Sequence, residues 1–157
     1  MNSNTGSTRR SSLRPILIVE DNDMDLDLCL QAFKEHAIAN PVVICHDGEE
    51  AVTFVDAHKD ADDPQLPLLV LLDLRLPKVD GIEVLRHARK DPVWRRVPFV
   101  VLTTSREDRD IAAAYDPGGN SYIVKPVDFA SFVDVVKQLK MHWILTNVPP
   151  FEPPTTS

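Results

Sequence analysis

The sequence predicts an α/β domain: a doubly wound, five-stranded parallel sheet flanked by five helices. Three observations carry that prediction. Short aliphatic runs recur along the chain, each bounded by turn residues, as the buried strands of a parallel sheet require. Helical periodicity fills the intervals, and βα units in series wind right-handed with helices on both faces. Each rim-forming run also ends on a polar residue: PILIV on Glu20 and Asp21, LPLLVLL on Asp73, PFVVL on Thr103, SYIV on Lys125. The carboxyl ends of such strands converge on one rim, where open α/β sheets bind ligands.

The elements follow in order. Residues 1–13 are polar and read as a disordered tail. The first strand covers about 15–19. The helix after it, about 23–36, carries Leu26, Cys29, Leu30 and Phe33 at i, i+3, i+4 and i+7, with Asn22 or Asp23 as its cap. Residues 41–45 form a second strand, ended by the Asp47-Gly48 turn signal. A second helix puts Ala51, Phe54, Val55 and His58 on one face.

The polar loop KDADDPQLP leads into a third strand at 68–72. The third helix follows Asp80-Gly81, turns Ile82, Leu85 and Ala88 inward, and ends near Asp91-Pro92. A fourth strand spans 99–102. Ser105 and Asp108 resemble a capping box opening a short, charged helix to about Tyr115. With apolar groups only at Ile111, the alanines and Tyr115, that helix is expected to be weakly held. Pro117-Gly118-Gly119 stops it, and 121–124 forms the fifth strand. The last helix, about 128–145, aligns Phe129, Phe132, Val133, Val136 and Trp143. Residues 147–157 read as an extended, proline-rich tail, which leaves 14–146 as one domain.

Composition narrows the function. At 157 residues, with 43% hydrophobic and 26% charged residues, the chain suits one globular domain with a sizeable core. A net charge of -7 argues against phosphate-driven binding to nucleic acid. The local group Arg86, Arg89, Lys90, Arg95 and Arg96 reads as a solvated helix face and loop rather than a binding patch. No run approaches the ~18 apolar residues of a membrane span. MNSNTGSTRRSS lacks the apolar centre of a signal peptide. Cys29 and Cys45 have no CxxC spacing and read as buried thiols in a reducing compartment. The five histidines lack zinc-ligand spacing. The expectation is a cytoplasmic protein with no nucleic-acid or membrane partner.

The rim residues point to a specific chemistry. Glu20 and Asp21 with Asp73 repel one another unless a cation sits between them. Magnesium prefers oxygen ligands and accompanies phosphate oxygens. Beside it, Asp73 would stay ionised and attack phosphorus to give an acyl phosphate. Lys125 would neutralise charge, and Thr103 would hydrogen-bond a phosphoryl oxygen. Taken singly, each residue has an ordinary explanation as a helix start, a strand-end cap or a β-branched strand residue. The set is far more specific, because its members end different strands.

ILIVEDN, LLDLRLPKVDG, VVLTTS and NSYIVKP together resemble a bacterial two-component response regulator, a single, CheY-like receiver domain, over about residues 14–145. The resemblance implies a flavodoxin-like fold with strand order 2-1-3-4-5. It implies Asp73 as phosphoacceptor and a Mg²⁺ (or Mn²⁺) site formed by Asp21, Asp73, Glu20 through water, and the backbone carbonyl of Arg75. Thr103 and Lys125 match the switch hydroxyl and the phosphoryl-binding lysine, and Tyr122 the aromatic switch residue. The Lys125-Pro126 bond is expected to be cis. Arg75 and Ser105 fall where the family tunes access of water to the acyl phosphate. A phosphoacceptor of this kind assists its own phosphorylation and dephosphorylation and is not an enzyme in the usual sense.

About a dozen residues follow the last helix, so output through the protein's own surface is expected. The loop KDADDPQLP and the segment around 143–150 resemble the small regulators paired with bacterial phytochrome histidine kinases, which implies such a kinase as partner. It also implies a homodimer through the fourth helix, fifth strand and fifth helix, with Tyr115, Val135, Leu139 and Trp143 as apolar contributors and the C-terminal tail assisting. A phosphate sink, a phosphorelay intermediate and a phosphorylation-independent interaction module are the alternatives. A haloacid-dehalogenase-type phosphatase would need an acid two residues after Asp73, where Arg75 stands. A flavin protein of this topology would need a phosphate-cradling loop where EDNDMD supplies the wrong charge.

Overall fold

The computed structural model describes residues 13–114 and 120–144. Strands β1 (Ile16–Val19), β2 (Val42–Cys45), β3 (Leu69–Asp73), β4 (Phe99–Thr103) and β5 (Ser121–Val124) alternate with helices α1 (Asp23–Glu35), α2 (Gly48–Ala57), α3 (Gly81–Arg89), α4 (Arg106–Ala114) and α5 (Phe129–Leu139). The five strands form one parallel sheet in the order β2-β1-β3-β4-β5. The three inner strands are buried at every residue, which is why their sequences are continuous aliphatic runs rather than alternating ones.

Pleating sorts these residues to two cores. Ile16, Ile18, Leu69, Leu71, Val100 and Leu102 pack with Leu26 and Phe33 of α1 and Phe132 and Val136 of α5. Leu17, Val19, Val70, Leu72, Phe99 and Val101 pack with Ala51 and Val55 of α2 and Val84 and Leu85 of α3. Asp73 continues the parity of Leu69 and Leu71, whereas Thr103 continues that of Phe99 and Val101.

Helix starts follow from side-chain capping, which satisfies N–H groups with no partner inside the helix. Asn22, Asp47, Asp80 and Asp128 each accept from the backbone N–H three residues on, at 2.9, 2.8, 3.1 and 2.8 Å. At α4, Ser105 Oγ accepts from Asp108 N–H at 3.1 Å. Helix α4 is thinly anchored: among its described side chains only Ala112 is buried, and Ile111 is 50% exposed.

Several expectations change. In α3, Val84 is buried with Leu85 and Ala88, while Ile82 is only half-buried. Gly81 fixes that phase, because its α-carbon lies against the backbone of Asp73 and Leu74. A 3₁₀ turn, Trp94–Arg96, buries Trp94 completely. Its indole N–H donates to the His58 carbonyl at 2.7 Å. Helix α5 passes at Lys140 into a π-helical turn, Lys140–Ile144, and Phe129 stands 37% exposed, off the buried stripe. Leu139 is 2% exposed within the chain's own core, so it is not available to a dimer interface. No cis peptide bond occurs among the described residues. Lys125–Pro126 is therefore trans, the form an X–Pro bond prefers by about 0.5–1 kcal/mol. Tyr115, Pro117-Gly118-Gly119, the Trp143 side chain, Leu145 and both tails lie outside the described residues.

The basic group is structural in part. Arg89 donates to the carbonyls of Trp94, Arg95 and Val97 at 3.1, 2.9 and 3.1 Å. Its guanidinium also sits 5.0 Å over the Phe99 ring. Both cysteines are buried and unbridged, and burial pushes their thiols up to about 12 for Cys29 and about 11 for Cys45, far from reactive.

Candidate phosphoacceptor site

The carboxyl ends of β1, β3 and β5 bring together the charged groups named from the sequence. Glu20, Asp21 and Asp73 offer carboxylate oxygens within 4.8 Å of one another, with Glu20 and Asp73 buried and Asp21 exposed. Parallel register does this: Val19 pairs with Leu72, so Glu20, just past the end of β1, comes beside Asp73, the last residue of β3. A backbone bond from Glu20 N–H to the Cys45 carbonyl (3.0 Å) fixes the exit from β1.

Lys125 reaches across the rim. Its Nζ lies 2.8 Å from Asp73 Oδ2, 2.9 Å from Glu20 Oε1 and 2.8 Å from Asp25 Oδ2. Burial alone would lower the Lys125 pKa, but the hydrogen bonds to Asp25, Asp73 and Glu20 outweigh it and raise it. The ammonium is therefore fixed as a cation. Glu20 is pushed up to about 7, first by burial and then by the charge of Asp73, with Lys125 opposing. Both Asp73 oxygens are engaged: Oδ1 accepts the backbone N–H of Arg75 at 3.1 Å and Oδ2 accepts from the lysine.

Thr103 is wholly buried at the end of β4. Its hydroxyl donates to the Ser105 carbonyl at 2.9 Å. The Lys125 N–H donates to the Thr103 carbonyl at 2.6 Å, which ties the two strand ends. Tyr122 is half-buried against the core shared with α2 and α3. A cavity of about 610 Å³ opens beside the rim, lined among others by Asp21, Arg75, Ile82, Asp108 and Ile111.

Two participants escaped the sequence reading. Asp25 lies one helical turn after Asp21, and the acidic run in α1 carried that signal, though it also suits a helix N-terminus. Asp108 was read as a capping acid, yet its carboxylate meets Arg75 Nη2 at 2.8 Å.

Three carboxylates with oxygen donors only, one of them open to solvent, fit a hard divalent cation that keeps several waters. Among the described residues no other group of acidic, histidine or cysteine side chains clusters this way.

Residues 16–137 match the response regulator receiver domain family. The chain belongs to that family. Among curated relatives, the receiver is 39% identical to the probable methanogenesis regulatory protein FilR2 of Methanothrix harundinacea, over 86% of either chain. It is 35% identical to response regulator Rcp1 of Synechocystis sp., over 83% of this chain and 89% of Rcp1.

Among solved structures, it resembles the bacteriophytochrome response regulator AtBRR (42% identity, 87% and 99% coverage, TM-score 0.68). It also resembles the phosphorylated cyanobacterial phytochrome response regulator RcpA (36%, 88% and 99%, TM-score 0.76). The Mn²⁺-bound form of Rcp1 matches at 35% identity, 87% and 98% coverage and a TM-score of 0.73. The receiver is thus related to phytochrome-associated regulators, and its strand order is the flavodoxin-like one expected. No helix among the described residues is long and apolar enough to cross a membrane.

Proposed function

We propose that this receiver accepts a phosphoryl group on Asp73 from the phosphohistidine of a sensor kinase and signals through its own surface. The observation that carries this reading is Asp73 itself: a 3% exposed carboxylate on the rim, flanked by Glu20 and Asp21 and held by Lys125. One Asp73 oxygen attacks phosphorus. The bond from phosphorus to the donor nitrogen breaks, the imidazole keeps its electron pair, and an acyl phosphate forms. Water later cleaves the new P–O bond and regenerates the carboxylate.

Asp21 and Asp73 would hold Mg²⁺ or Mn²⁺ directly, Glu20 through water, and Arg75 through its backbone carbonyl. The cation would screen the charge gathering on the phosphoryl oxygens. Lys125, 2.8 Å from Asp73 Oδ2, adds a fixed positive charge beside the reacting carboxylate. Thr103 would give up Ser105 to meet a phosphoryl oxygen, and Tyr122 would turn into the space it vacates.

The relationship to AtBRR, RcpA and Rcp1 supports a bacteriophytochrome-type histidine kinase as partner and a cytoplasmic setting. Self-association through α4, β5 and α5 fits Ile111 and Val124, which are 50% and 36% exposed, with Val135, Trp143 and the tail as further contributors.

The test is intact-mass spectrometry after incubation with a small acyl-phosphate donor, with and without magnesium. Wild type should gain one phosphoryl mass only with magnesium, and Asp73→Asn none. Absence of any gain, from the small donor and from a cognate kinase alike, would overturn the assignment.

A further inference from the structure

We propose that the Arg75–Asp108 ion pair is a latch that stabilises the unphosphorylated form, tying α4 to the β3–α3 loop until Arg75 exchanges Asp108 for the phosphoryl group on Asp73. This inference rests on the reading of Asp73 as phosphoacceptor.

Arg75 is anchored at its base beside the reacting carboxylate, since its backbone N–H donates to Asp73 Oδ1 at 3.1 Å. Its side chain turns the other way, to Asp108 Oδ2 at 2.8 Å on the first turn of α4. From Asp108 the contacts run back to the hydroxyl that must move. Its carboxylate also accepts from Thr104 Oγ1 at 3.3 Å, and its N–H donates to Ser105 Oγ at 3.1 Å. The Ser105 carbonyl in turn accepts from Thr103 Oγ1 at 2.9 Å. One ion pair therefore braces the loop that holds the Thr103 hydroxyl on the Ser105 carbonyl.

Two features make the exchange physically reasonable. Helix α4 buries little besides Ala112, so a surface pair counts for more there than on a well-packed helix. The cavity lined by Arg75, Leu76, Ile82, Asp108 and Ile111 gives the guanidinium room to move. Phosphorylation then changes the competition. A phosphoryl group offers several charged oxygens where Asp108 offers one carboxylate, and a guanidinium fork binds phosphate in bidentate fashion.

If the pair exists only in the unphosphorylated form, removing Asp108 weakens that form alone. The affinity for a phosphoryl mimic must then rise. The probe is beryllium fluoride with magnesium, titrated into wild type, Asp108→Asn, Arg75→Gln and the double variant, with the bound species followed by ¹⁹F NMR. We expect Asp108→Asn to bind about two- to five-fold more tightly than wild type, the factor an exposed ion pair supplies. In the Arg75→Gln background the same change should have no effect, because the latch is already open.

Unchanged affinity in Asp108→Asn would overturn the latch while leaving Asp73 as phosphoacceptor. A gain that persists without Arg75 would also overturn it, as a simple effect of removing a negative charge. Failure of wild type to bind the mimic or to accept phosphoryl would overturn both readings together. Wild type alone offers a second check: amide exchange in α4 should quicken on binding the mimic, and unchanged exchange would again overturn the latch.

Discussion

The Lys125 ammonium stands 2.8 Å from the carboxylate of Asp73 and, from the same position, contacts Glu20 and Asp25. One cation thus holds two buried carboxylates and a third at the edge. Removing one partner of a buried charge group leaves the others uncompensated, which commonly costs more than the intact group contributes. Lys125→Met should therefore destabilise the metal-free protein at pH 8 by about 3 kcal/mol, read from urea unfolding. Magnesium should restore part of the loss. A variant as stable as wild type without metal would show that the three carboxylates have no need of the lysine.

Glu20 sets a pH dependence. Burial and the neighbouring Asp73 raise its pKa from 4.5 to about 7, so the folded protein binds a proton there more tightly than the unfolded chain does. Its contribution is fully present below about 4.5 and is lost as pH rises through about 7. Between pH 5 and pH 8, metal-free wild type should lose on the order of 2 kcal/mol relative to Glu20→Gln. Paired unfolding curves at the two pH values check this, and parallel curves would contradict it. Since metal ligation needs ionised carboxylates, magnesium should bind more weakly to wild type below pH 7.

Gly81 couples the third helix to the end of β3. A Cβ at this position would lie 2.6 Å from the Asp73 carbonyl oxygen and 2.8 Å from Leu74 Cα. Backbone atoms cannot yield as a flexible side-chain tip can. Gly81→Ala should cost about 2 kcal/mol and slow phosphoryl uptake, because the end of β3 must shift. Thermal unfolding and the mass assay test the two halves separately.

Asn22 caps α1 between the acidic pair and Asp25. Its side chain accepts from Asp25 N–H at 2.9 Å, and its own N–H donates to Glu20 Oε2 at 3.1 Å. Asn22→Ala should lower stability by about 1 kcal/mol, whereas Asn22→Asp should keep the cap. Equal losses in the two variants would show that the cap is not what matters.

The three inner strands were legible because burial on both faces leaves no alternation to misread, and the Asx caps marked helix starts well. The phase of α3 was not legible. Ile82 and Val84 are equally apolar, and close contact of Gly81 with β3 selects Val84. Trp94 was hidden because WRR looks like a charged loop, and a three-residue turn shows no period. The charged members of the site could be read because each ends a strand. Asp25 and Asp108 could not, since their roles depend on where Lys125 and Arg75 reach through space. Leu139 looked suited to an interface because an apolar residue late in a helix reads the same whether it meets its own core or a second copy.

The parity of the pleat has one further consequence. Asp73 belongs to the side of the sheet covered by α1 and α5, while Thr103 and Tyr122 belong to the side covered by α2 and α3. On the proposed reading of Asp73 as phosphoacceptor and of Thr103 and Tyr122 as its switch, the sheet is a partition, with the chemistry on one surface and its reader on the other. The wall is solid along the strands and passable only over its top edge. On that reading a message between the two sides would cross that narrow sill, where Arg75 and Ser105 stand.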